Sequence, residues 1–67
     1  MTARVIHTPE QLRFIGRWML PSGRTIRVVR IDQNSMALVG NGQERWYMTV
    51  KDLTMMVESP GTRFLGR

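Results

Sequence analysis

Asn41-Gly42 stands between two apolar runs, the expected strand Met36-Ala37-Leu38-Val39 before it and the expected partner strand Gln43 to Val50 after it. No other feature of the chain constrains its fold as much. Asn and Gly both enter the left-handed backbone region at little steric cost, so the pair closes an antiparallel hairpin whose twist suits the flanking strands. A set turn also sets the register, and side chains then alternate between faces. Trp46, Met48 and Val50 are expected on the core side, with Arg45, Tyr47 and Thr49 on the other.

Similar punctuation divides the rest. Thr8-Pro9-Glu10-Gln11 combines an N-cap, a proline at the first helical position and a residue that completes a capping box. A two-turn helix over 9–15 is expected, with Leu12 and Ile15 as its apolar face, Phe14 beside them and Gly16 as its end. Arg17 to Leu20 reads as a strand and Pro21-Ser22-Gly23 as a turn. Arg24 to Ile31 is rich in β-branched residues and reads as the next strand. Its alternation breaks at Val28-Val29, where a bulge would turn Ile26, Val29 and Ile31 inward together. After the polar turn Asp32-Gln33-Asn34-Ser35 come the two hairpin strands. Lys51-Asp52-Leu53 reads as a short turn, Thr54 to Val57 as the last strand, and Ser59-Pro60-Gly61 as its end.

The result is a mostly β chain forming one domain over 1–67. Its parts are an N-terminal arm (1–7), a short α-helix (8–16), a strongly bent, five-stranded small barrel of the SH3-like or OB-like kind (17–58), and a basic tail (59–67) expected to be disordered.

Composition narrows the chemistry. The chain has no cysteine, one histidine and five scattered carboxylates, which excludes disulfides and thiolate metal sites and argues against zinc. His7 has no acid or nucleophile placed beside it, and Ser22, Ser35 and Ser59 fall in turns. Neither a nucleophile elbow nor a phosphate loop is present, so no enzyme and no cofactor is expected. The N-terminus lacks the apolar core of a secretion signal, and no apolar run nears the ~20 residues of a membrane span. A soluble, cytoplasmic protein without a membrane partner is the expectation.

The net charge of +5 favours an acidic partner, either nucleic acid or an acidic protein, and nine of the ten basic residues are arginine, which suits bidentate phosphate contacts and base stacking. Arg24, Arg27 and Arg30 punctuate one expected strand, and Arg17 and Arg45 lie on its neighbours. With the bulge, they would line a curved outer face on which Tyr47 could stack bases. A face of this kind binds RNA or DNA with salt-dependent affinity, while a charged face that only keeps strand edges apart is the plainer reading. The other functional expectation is a small protein-interaction module, such as an adaptor or a phage-type inhibitor of a host protein. Trp18, Met55 and Met56 are the candidate interface residues for such a partner or for self-association into a homo-oligomer.

The stretch Leu20-Pro21-Ser22-Gly23-Arg24, through Asp32, to Met36-Ala37-Leu38-Val39 resembles the first motif of the Sm-like family, which includes Hfq. That family has a short helix followed by a five-stranded, bent SH3-like barrel, assembles into rings and binds RNA. The resemblance implies RNA contacts at Asp32 and Asn34 in the polar turn and at Tyr47. The sequence departs from the family where Arg27, Val28 and Val29 replace the glycine of the bent strand, and where Met48-Thr49-Val50-Lys51-Asp52 replaces the basic element of the second motif.

Overall fold

The structure, a computed structural model, describes residues 8–67. The N-terminal arm expected over 1–7, including His7, lies outside the described residues. In chain order the elements are α1 (Pro9–Leu12), β1 (Gly16–Met19), β2 (Thr25–Ile31), β3 (Met36–Gly40), β4 (Arg45–Thr49), α2 (Val50–Val57) and β5 (Arg63–Gly66). The five strands form one antiparallel sheet in the order β4-β3-β2-β1-β5. The sheet is not closed on itself, and β4 and β5 are its two edges.

The capping box forms as its residue types require. The Thr8 hydroxyl accepts from the Gln11 amide at 3.2 Å, and the Gln11 side chain accepts from the Thr8 amide at 3.1 Å. The helix is shorter than 9–15, and its anchor differs from the one expected. Phe14 lies in the core, whereas Leu12 is exposed. Past Leu12 the chain turns, which aims Phe14 inward and lets its carbonyl accept from the Trp18 indole N–H at 2.9 Å.

The bulge in β2 is present, but it extrudes a different residue. The β2–β3 register slips between Val28 and Arg30, so Val29 is the extra residue and points outward, while Ile26, Val28 and Ile31 are buried. One face of the sheet thereby presents a continuous apolar surface of Ile26, Val28, Ile31, Ala37 and Val39, onto which Phe14, Leu53 and Val57 pack.

Two expectations for the C-terminal third are corrected. Thr54 to Val57 is the second half of helix α2 and not a strand. The Thr49 hydroxyl caps this helix by accepting from the Asp52 amide at 3.1 Å, and Asp52 in the first turn suits the positive helix end. Val50, Leu53 and Val57 then fall on one side, at helical spacing, and Leu53 is fully buried. The expected loose tail supplies the fifth strand instead. Thr62 donates to the Ser59 carbonyl, Gly61 adopts φ +89°, and the turned chain pairs β5 with β1. The Phe64 ring lies 4.8 Å from that of Trp18. An edge strand that short is held by pairing and side-chain contact, which an apolar pattern alone does not reveal.

Candidate functional site

The strands carry five arginines, Arg17, Arg27, Arg30, Arg45 and Arg63, and no carboxylate. All five acidic residues lie in helices, turns or loops. Register places the five arginines on one face of the sheet, opposite the packed helices. Arg17 pairs with Arg27, Arg27 with Gly40, and Gly40 with Arg45, so this row crosses four strands. At the usual strand spacing it spans roughly 14 Å. Arg30 pairs with Leu38 and Leu38 with Tyr47 in a second row, and Arg63 pairs with Met19 at the β5 edge.

The bulge decides this arrangement. Arg27 and Arg30 are three residues apart and would face opposite sides of a regular strand. With Val29 extruded between them, both turn to the open face. Arg30 then reaches across Leu38 and donates to the Tyr47 hydroxyl at 3.2 Å. That bond holds the Tyr47 side chain while leaving it 54% exposed, in an orientation available to a stacking partner.

Next to the first row is a cleft of about 280 Å³, lined by Arg27, Val29, Gly40, Gln43, Glu44 and Arg45, with Gly42 at its rim. A second depression of about 200 Å³ adjoins it along Arg17, Arg27 and Gly40. The hairpin shapes the cleft. Its loop holds Asn41 to Glu44, a wider turn than a two-residue closure. The Asn41 carboxamide accepts from the amides of Gln43 and Glu44 at 2.9 and 2.8 Å, and Gly42 takes φ +94°.

Arg17, Arg27, Arg30, Arg45 and Tyr47 of the expected site come together on this face. Arg24 and Asn34 do not join them. Arg24 sits in the β1–β2 turn before β2, and Asn34 sits in the turn after it, where the Asp32 carboxylate accepts from the Asn34 and Met36 amides. Arg63 was missed because its segment reads as tail; the signal that could have found it is the Pro60-Gly61 turn followed by a short apolar pair, Phe64-Leu65.

The expected interface residues separate. Trp18 is half-buried against the core and against Phe64, Met56 packs inward, and Met55 is 65% exposed on α2. Trp46, expected in the core, is exposed at the edge of the sheet, because among the described residues β4 has a neighbouring strand on one side only.

Among the described residues no helix is long and apolar enough to cross a membrane, and no group of three histidine, aspartate or glutamate side chains is placed to hold a metal ion. No protein-family model matches the chain, and no curated protein or solved structure does either.

Proposed function

We propose that the protein is a non-catalytic binding module that takes nucleic acid on the open face of its sheet. The observation that carries this reading is the segregation of charge: five strand arginines share the face that no helix covers, and no strand residue there is acidic. Arginines held on a rigid sheet neutralise phosphates with little loss of side-chain order, and the exposed Tyr47 among them offers a base a stacking surface. The short N-terminal helix and five antiparallel strands support reading the fold as an open relative of the SH3-like barrels, the Sm-like family included.

Fluorescence anisotropy with a labelled single-stranded oligonucleotide tests the proposal. If all five arginines engage phosphates, log K falls with log salt at a slope of about 3.5, and affinity drops roughly 100-fold between 50 and 200 mM salt. Arg27→Ala with Arg45→Ala lowers that slope by about 1.4. Absence of binding at about 50 mM salt, or affinity indifferent to salt, sinks the reading.

A protein partner is the second reading, favoured by Met55, which stands 65% exposed on α2, away from the arginine face. It predicts a partner whose binding is lost in Met55→Glu and kept in the double arginine variant.

A further inference from the structure

We propose that the cleft over Gly40 takes a guanine base from a single strand lying on the arginine face, an inference that rests on the nucleic-acid reading above. Gly40 stands in the row between Arg27 and Arg45, at the one position of that row with no side chain. A β-carbon built there would lie 3.4 Å from Cγ of Arg45, so the arginine stem runs past the gap and walls it. The opening has a backbone floor, Val29 as an apolar contact for a ring, and a volume of about 280 Å³, near the lower end for small-ligand sites. That size suits one base and not a folded nucleotide chain.

The polar lining selects among bases. Arg27 and Arg45 bring donors only, Glu44 of the hairpin loop brings acceptors only, and Gln43 brings an amide with one acceptor and two donors. Among the described residues Glu44 makes no ion pair with either arginine. The cleft therefore presents two donor forks and one carboxylate that are not already satisfied by each other. Guanine carries two adjacent acceptors, O6 and N7, that match an arginine fork. It also carries two adjacent donors, N1–H and the 2-amino group, that match a carboxylate. Adenine can pair its 6-amino group and N7 with the Gln43 amide alone, leaving the arginine forks without adjacent acceptors and the carboxylate without adjacent donors; cytosine offers the carboxylate a single amino group, and thymine or uracil offers one N–H. In a duplex, N1–H and the 2-amino group are already paired, so the cleft requires an unpaired strand.

Decamers of thymidine carrying one central guanine, adenine or cytosine, with the all-thymidine decamer as reference, titrated by anisotropy at about 50 mM salt, provide the test. The guanine decamer is expected to bind about 5- to 10-fold tighter than the other two. Its duplex with the complementary strand should lose that advantage. Glu44→Ala should abolish the guanine preference without weakening the all-thymidine decamer, since it removes a negative charge from the face. Gly40→Val, which fills the floor, should do the same to the preference. Equal affinity for the three decamers, a preference for cytosine or adenine, or a duplex bound as tightly as the single strand overturns the guanine site and leaves the arginine face standing. Failure of every decamer to bind overturns both readings. The wild-type base series decides the matter even where a variant is unstable.

Discussion

Gly16 has the tightest surroundings of the glycines in the described chain, which makes Gly16→Ala a sharp test of how β5 is seated. Gly16 opens β1 at φ +135°, a region that an L side chain enters with strain. A β-carbon there would lie 2.7 Å from the Gly66 carbonyl oxygen and 2.8 Å from the Phe64 ring, both on β5. The backbone strain is worth about 1–2 kcal/mol, and overpacking against the partner strand adds about 1–3 kcal/mol. A chain of this length has roughly 3–10 kcal/mol of stability in total, so the loss is a large fraction of it. At about 4–8 °C per kcal/mol, the midpoint should fall by at least roughly 10 °C. Circular dichroism with urea and thermal melts measures it, and a second background makes the result diagnostic. In Phe64→Ala the ring contact is gone, so Gly16→Ala should be milder there by about 1 kcal/mol. A loss under about 0.5 kcal/mol would show that β5 is not seated against Gly16 and that the reasoning is wrong, and the same loss in both backgrounds would show that the Phe64 ring does not press on it.

Leu53→Ala removes a fully buried side chain from beneath the sheet and should cost about 2–5 kcal/mol in urea melts. Thr49→Ala deletes the cap of α2 and should cost about 1 kcal/mol, whereas Thr49→Ser should cost much less; equal losses would show that the hydroxyl is not capping. Tyr47→Ala should weaken oligonucleotide binding by 5-fold or more if a base stacks on the ring, at about 1–3 kcal/mol per stacked base. Tyr47→Phe keeps the ring and loses the Arg30 bond that holds it, so it should fall between wild type and Tyr47→Ala in the same titration.

Local chemistry made much of the fold legible. The Thr8 capping box, the turn at Asp32 and the hairpin at Asn41-Gly42 each depend on side chains that bond to backbone within four residues, so their residue types announce them. The misreadings share one cause. Thr54-Met55-Met56-Val57 is a short apolar run with no period of its own, and it fits a strand or a helix equally well. Its helical signal lies upstream, in the Thr49-x-x-Asp52 cap and the spacing of Val50, Leu53 and Val57. Trp46 alternates as a core residue should, yet burial depends on a neighbouring strand, and among the described residues β4 has none on its outer side.

The candidate site divides the same way. The sequence by itself determined the charge, the arginine-rich strands, the absence of acid within them and the presence of an irregularity at Val28-Val29, because each is a matter of residue identity and order. Which valine the bulge extrudes was decided only by pairing against β3, and that choice brings Arg27 and Arg30 to one face. Tertiary pairing alone also returned the C-terminal segment to β1, adding Arg63 to the face, and left Arg24 and Asn34 beyond opposite ends of β2. The physical reason is that strand pairing and register are set by partners distant in sequence, whereas caps and turns are set by neighbours a few bonds away.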